Sequence, residues 1–128
     1  MYTVVRFVAG ATCSDATLID LGSELNTAAA GTFKRLDRVG RRFSISVSSA
    51  DDWDVHASEV LAFIRKTSQV IANGRARGIS VVADIAVEPE DLIGKPYLSC
   101  EISPAVLAEF AQNGVGIVFT FCGSGAAS

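Results

Sequence analysis

The chain has 128 residues, of which 49% are hydrophobic and 20% are charged, so its composition excludes an intrinsically disordered polypeptide. Its formal net charge of −3 argues against a general nucleic-acid binder, for which we expect a basic surface. The mean hydropathy of +0.36 is high for a small domain and indicates apolar surface that would suit a dimer interface or a ligand pocket.

Strand and helix patterns alternate along the chain. Stretches rich in β-branched and aromatic residues, or alternating apolar with polar side chains, predict strands at residues 2–9, 33–38, 42–48, 79–87, 97–102 and 115–122. Apolar residues at helical spacing predict helices from Ser14 and Asp15 to the alanines at 28–30, from residues 51–54 to Asn73 and Gly74, and from Ser103 and Pro104 to Asn113 and Gly114.

This order, β-α-β-β-α-β-β-α-β, predicts an α+β fold with a mixed or mainly antiparallel sheet and helices packed on one face. A ferredoxin-like βαββαβ core with an added β-α-β unit fits the order. We expect one domain over residues 1–128 with a frayed tail at 123–128. Since no apolar run is long enough to cross a membrane and no signal-peptide pattern is visible, we expect no membrane contact and a cytoplasmic location.

The first and last units of the chain have the most regular patterns. The first joins the strand at residues 4–10 to the leucine-spaced helix from Leu18 to Leu25. The last consists of Ser103, Pro104, Leu107, Phe110, Ala111, Gly114, Ile117 and Phe119. Together they resemble a bacterial family of small α+β domains of unknown function, which implies a cytoplasmic accessory domain and no particular activity. The middle differs, because that family tends to place a tryptophan in a strand, whereas Trp53 here abuts the helix.

The three cysteines, Cys13, Cys100 and Cys122, form no CxxC pair, so we expect neither a disulfide framework nor a structural zinc site. Cys13 lies just before a helix, whose N-terminus lowers the pKa of a thiol. It is therefore a candidate binding residue or nucleophile, although a buried inert thiol is the favoured interpretation. Cys100 and Cys122 fall in predicted strands and are expected in the core.

His56 is the only histidine, and Trp53 the only tryptophan, of the chain. A catalytic histidine needs a nucleophile and an orienting acid, and neither is apparent at a suitable spacing. A solvated His56 in the first helical turn is therefore favoured, with both residues kept as binding candidates. No set of metal ligands or cofactor motif is visible, so we expect no metal and no cofactor.

Asp84 interrupts the apolar strand at 79–87, and either an edge position or a satisfied hydrogen bond would explain it.

A basic hairpin, residues 34–42, is the most unusual feature. Its basic residues are Lys34, Arg35, Arg38, Arg41 and Arg42, with one acid, Asp37. Such a ribbon is typical of binding to an anionic partner or to nucleic acid. An acidic run follows at residues 51–54, so charge compensation within the chain or across a dimer is the favoured interpretation. A small anionic ligand or protein is second, and nucleic acid is third.

No group of residues has the form of a catalytic signature, so we favour a non-enzymatic binding or protein-interaction module. We expect recognition through an exposed sheet edge or an apolar helix–sheet surface, steering by the basic hairpin, and a homodimer. The alternative is a small-molecule binder or simple enzyme whose helix–sheet pocket uses Cys13, Arg42, Trp53 and His56. A concave pocket that joins these side chains would favour the alternative.

Overall fold

The described part of the chain contains five strands and four α-helices. The structure, a computed structural model, describes residues 1–28 and 36–122, with the backbone alone at residues 36–38. The elements are β1 (Tyr2–Ala9), α1 (Asp15–Ala28), β2 (Leu36–Val39), β3 (Arg42–Ser48), α2 (Trp53–Lys66), α3 (Ser68–Ala76), β4 (Ile79–Val87), α4 (Pro104–Asn113) and β5 (Val115–Phe121). A 3-10 turn, Pro89–Leu92, follows β4. The predicted α+β class is confirmed.

The strands form one open mixed sheet in the order β2-β3-β1-β4-β5. All neighbours are antiparallel except β4 and β5, which are parallel. The β2–β3 hairpin turns at Gly40 and Arg41, one residue later than the sequence predicts. Gly40 has a φ of 58°, and a positive φ at the first of two turn residues is typical of a type II′ hairpin.

One face of the sheet is buried under the helices. Side chains alternate along β1 so that Thr3, Val5 and Phe7 are buried, while Val8 on the opposite face is partly exposed. The core cluster contains residues from all four helices: Leu18, Leu21, Leu25, Val60, Phe63, Ile64, Val70, Ile71 and Phe110. Each large apolar side chain buried in this way stabilises the fold by about 1.5–3 kcal/mol.

The long helix predicted through Gly74 is divided into α2 and α3 at Thr67. The Thr67 side chain is fully buried, and its hydroxyl donates to the Phe63 carbonyl at 2.8 Å. A hydroxyl bonded to the carbonyl four residues back competes with the helical ladder and bends the helix. The chain continues as a helix because Ile71 N donates to Thr67 O at 2.9 Å.

The strand predicted at residues 97–102 is wrong. This segment has no strand pairing, and both edges of β4, the strand that precedes it, are occupied by β1 and β5. It also remains at one end of the sheet, where β4 ends and α4 begins, so it does not run along the sheet. The expectation that Cys100 and Cys122 lie in core strands is wrong as well, since both lie outside strands and are half-buried.

Parts of the predicted pattern lie outside the described residues, namely 33–35 of the first hairpin arm and the tail at 123–128. Within the part of the chain that the structure describes, no helix has the length and apolar character needed to cross a bilayer. The cytoplasmic location stays a prediction.

Asp84 lies on the face of the sheet opposite the helices, and its two carboxylate oxygens bind different strands. Arg6 of β1 donates to one oxygen, and the Thr120 hydroxyl of β5 donates to the other at 2.7 Å. Burial raises the pKa of Asp84, but these hydrogen bonds and the charge of Arg6 outweigh it, so the pKa lies below its usual value. A satisfied hydrogen bond, not an edge position, therefore explains this acid.

We expect Asp84→Asn to lower the free energy of unfolding at pH 7 by about 1–2 kcal/mol, because Arg6 loses its charged partner. Since the pKa of Asp84 is lower in the folded than in the unfolded chain, its stabilisation is present above about pH 4 and is lost as the pH falls through the folded-state pKa. Urea unfolding between pH 7 and pH 2.5 measures this. The exposed Asp20→Asn is the control, and an unchanged acid dependence in Asp84→Asn would contradict the prediction.

Candidate functional site

The residues that the sequence grouped into one pocket lie at opposite ends of the sheet. Ala9 N donates to Arg41 O at 3.0 Å, so the hairpin turn adjoins the end of β1. The Thr3 hydroxyl is 2.5 Å from His56 Nε2, so α2 adjoins the beginning of β1. Strand β1 has eight residues, and at about 3.3 Å per residue the two ends are separated by roughly 23 Å.

Arg41 binds the loop between β1 and α1. Its guanidinium donates to Gly10 O at 3.0 Å and to Cys13 O, and it pairs with Asp15 at 3.2 Å. Its charge is therefore compensated by a neighbouring element and not by the acidic run at 51–54. Cys13 is 5% exposed in this loop.

The structure describes the other basic residues of the hairpin in less detail than Arg41. Arg42 is exposed, Arg38 is described only by its backbone pairing with Phe43, and Lys34 and Arg35 lie outside the described residues.

His56 is fully buried, so the expectation of a solvated side chain is wrong. Its Nδ1 lies 2.9 Å from the Ala50 carbonyl and 3.2 Å from the Ser48 hydroxyl. A carbonyl only accepts, so Nδ1 carries a proton, and in the neutral ring Nε2 accepts from the Thr3 hydroxyl. The side chain therefore joins β1, the end of β3 and α2 as a hydrogen-bonded core residue.

Trp53 is held on three sides at the beginning of α2. Its ring stacks on His56 with a centroid distance of 5.9 Å and an interplanar angle of 16°. It also meets the ring of Phe119 at 6.4 Å, and its Nε1–H donates to Glu101 O at 2.8 Å. A ring fixed in this way loses little conformational entropy on binding, which is typical of a preorganised anchor.

A cavity of about 230 Å³ lies beside Trp53, between α2, α4 and the segment that precedes α4. Its walls include the buried residues Leu61, Ile85 and Phe110. The exposed lining residues, which form its mouth, are Asp54, Ser58, Glu101 and Ser103. Of the four side chains that the sequence assigned to one pocket, this cavity includes only Trp53.

Helix α4 forms one wall of the cavity and has few contacts that hold it in place. Phe110 is its one buried residue. A paired contact between α2 and α4 holds it, in which Arg65 Nε and Nη2 donate to the two Glu109 oxygens at 2.8 and 2.5 Å. The hydrogen bond and charge of Arg65 hold the pKa of Glu109 below its usual value. Arg65 is exposed and Glu109 is half-buried at the surface, so the pair is accessible to water and contributes little stability.

Strand β5 leaves one edge unpaired among the described residues. Cys122 N donates to Val87 O at 2.9 Å, so the backbone groups of even-numbered residues face β4. The amides and carbonyls of Ile117, Phe119 and Phe121 consequently point toward the free edge. The sequence predicted recognition through an exposed sheet edge but did not assign it to a strand. A signal for β5 was present, because this strand contains no charged residue and no proline.

Two observations concern metal binding and thiol chemistry. Within 1–28 and 36–122, no group of three His, Cys, Asp or Glu side chains is placed to hold a metal ion. Burial, and secondarily the charge of Asp91, raise the pKa of the Cys100 thiol, so it is protonated at neutral pH and is a poor nucleophile.

Neither a protein-family model, a curated protein nor a solved structure matches this chain. The resemblance of its first and last units to a bacterial domain family stays a prediction.

We expect Trp53→Phe to lower the free energy of unfolding by about 1–2 kcal/mol, because the smaller phenyl ring loses the hydrogen bond to Glu101 O and part of the apolar contact of the indole. Urea unfolding followed by circular dichroism measures the change. Tyr97→Phe is the matched control, since it removes a polar group from an exposed ring in the same connecting segment. Equal stability of the two variants would show that the indole N–H does not anchor this segment.

We expect His56→Leu to destabilise the fold by about 2–4 kcal/mol, since the Thr3 and Ser48 hydroxyls and the Ala50 carbonyl each lose a buried partner. The same unfolding measurement applies, with the exposed Ser46→Ala as control. A loss below about 0.5 kcal/mol, the range of ordinary surface substitutions, would contradict the structural role.

Proposed function

We propose that this domain is a non-enzymatic interaction module that binds an extended polypeptide by adding a strand to the free edge of β5. The observation that carries the proposal is the row of backbone groups along that edge, at Ile117, Phe119 and Phe121, which have no strand partner among the described residues. Main-chain hydrogen bonds supply affinity in this mode of recognition, and alternate side chains supply specificity.

The two edges of the sheet differ in how they are protected. Strand β2 has four residues and includes Asp37 and Arg38, and a short charged edge strand disfavours pairing with another chain. Strand β5 has seven residues, VGIVFTF, with no charge to oppose such pairing. Its apolar side chains remain accessible, with Val118 at 44% and Phe121 at 72% exposure.

The occupant that we propose is a second copy of this chain. Two β5 strands in antiparallel register oppose no like charges, and each completes the free hydrogen bonds of the other. Such a two-fold arrangement is self-complementary, as closed dimers require. The high mean hydropathy of the chain, +0.36, supports a homodimer.

The basic hairpin is not part of this surface. Strands β2 and β5 are the two ends of a five-stranded sheet. Strand β3, which begins at Arg42, is three spacings of about 4.8 Å from β5, and β2 is four spacings away, so the hairpin lies roughly 14–19 Å from the β5 edge. A small anionic ligand at the hairpin would be an independent event.

We further propose that β1 to β4 with α1 to α3 form a ferredoxin-like core. The antiparallel order β2-β3-β1-β4, with helices between β1 and β2 and between β3 and β4, supports this topology. Helix α4 and β5 then form the added unit, with an irregular connection in place of the extra strand.

The proposal predicts that the purified chain has about twice the 13.4 kDa monomer mass in light scattering at high concentration. We expect Phe119→Pro to weaken this dimer at least tenfold relative to Phe119→Ala, because both lose the ring but only proline loses the outward N–H. Thermal melts establish that both variants are folded. A mass of 13.4 kDa at every concentration would contradict self-pairing.

Amide exchange provides a second readout that does not depend on any variant. In a dimer formed by strand addition, the amides of Ile117 and Phe119 become protected as concentration rises. Those of Val118 and Thr120 are protected at every concentration, because they face β4. A dimer whose Ile117 and Phe119 amides exchange freely uses another surface, and strand addition would then be wrong.

A further inference from the structure

The cavity beside Trp53 has the dimensions of a small apolar group. An apolar cavity of about 150 Å³ accommodates benzene, so about 230 Å³ accommodates one ring with a short chain. Sites for drug-sized ligands begin at about 300 Å³. Leu61, Ile85 and Phe110 offer no hydrogen-bonding groups from their side chains, so the part of a ligand that reaches the walls must be apolar.

The mouth of the cavity carries charge of one sign. Its charged lining residues are Asp54 and Glu101, both exposed, and no basic residue lines the cavity. Among the described residues, neither carboxylate takes part in an ion pair or a side-chain hydrogen bond. Both therefore remain available to a cation that enters from solvent.

The helix N-termini at the mouth do not reverse this sign. Helices α2 and α4 both begin there, and each contributes roughly half a positive charge. Asp52 already caps α2, its carboxylate accepting from Val55 N at 3.1 Å. The negative charges of two further carboxylates, those of Asp54 and Glu101, exceed the remaining positive charge of the helix N-termini. The local potential therefore favours a positive ligand.

We infer that this cavity binds a small organic cation, an aryl- or alkylammonium whose apolar body enters the cavity and whose charged nitrogen stays at the mouth. The Trp53 ring, held by His56 and by the Glu101 carbonyl, adds an aromatic surface that attracts a cation. This site uses side chains on the helix face, whereas strand addition uses the outward backbone groups of β5, so each is tested by its own variants.

The test titrates the purified full chain with three probes of similar size, 2-phenylethylammonium, 2-phenylethanol and 3-phenylpropanoate. Trp53 is the only tryptophan, so one indole N–H signal in a nitrogen–proton correlation spectrum and one fluorescence emission report on the cavity. We expect the ammonium probe to bind with a dissociation constant on the order of 1 mM. The neutral probe should bind at least threefold more weakly, and the anion more weakly still.

Variants separate charge from shape. Asp54→Asn with Glu101→Gln should weaken binding of the ammonium probe about threefold to tenfold and leave the alcohol unchanged. Asp20→Asn with Glu90→Gln, which changes the net charge equally at exposed residues that do not line the cavity, is the matched control. Ala57→Leu fills the cavity from α2 and should abolish binding of all three probes, with a thermal melt to show that the variant is folded.

The outcomes are distinct. The inference is supported if the protein prefers the ammonium probe and this preference is lost in the variant that combines Asp54→Asn with Glu101→Gln. Equal or tighter binding of the neutral probe overturns the assigned charge, and no saturable response from Trp53 up to about 10 mM overturns the site itself. None of these results changes the dimer measurements, so failure here is distinguishable from failure of strand addition.

Discussion

The parallel pairing of β4 with β5 is the constraint on which the rest of this arrangement depends. Parallel neighbours require a crossover that returns the chain to the end of the sheet from which β5 begins. The segment after Val87 therefore stays at the opposite end until α4 begins at Pro104 and carries the chain back. The cavity forms where this connection, α4 and α2 meet, and β5 is left as the outer strand because no further element follows within the described residues.

A buried polar network fixes the same end of the sheet. His56 satisfies the Thr3 hydroxyl and the Ala50 carbonyl, and Trp53 stacks against its ring. A network of this kind is stable only while each member has its partner, because an unpaired polar group in the core costs about 1–3 kcal/mol. The position of Trp53, and with it one wall of the cavity, is consequently determined by residues of β1 and β3 that do not line the cavity.

Local signals in the sequence were sufficient for most elements. The Ser103 and Pro104 pair predicted the beginning of α4, and period-two alternation predicted β3, because both depend on neighbouring residues alone. Tyr97–Ile102 alternates equally well, yet it forms no strand, because pairing depends on where the connection runs relative to the sheet and not on its own alternation. Thr67 divides a regular helical pattern through one hydroxyl bond that hydrophobic spacing does not reveal.

Site residues were harder to predict, because residues that are distant in sequence come together only through strand pairing and helix packing. His56 and Cys13 appeared comparable as candidates, but their separation by the length of β1 follows from strand register and not from sequence distance. The cavity depends on four segments that are distant in sequence. Its one predicted member, Trp53, was recognisable as an aromatic residue at a helix beginning, whereas its partner Glu101 contributes a backbone carbonyl, which every residue possesses.

Ile117 has a double role that limits how this sequence can diverge. Its side chain lines the cavity, while its backbone amide and carbonyl lie on the outer edge of β5. A substitution selected for a better fit on the helix face also changes the twist and rigidity of the strand whose outer edge is unpaired. A mutation at Ile117 therefore affects both the cavity and the outer edge of β5. We expect relatives of this chain to vary at these two surfaces in a correlated way.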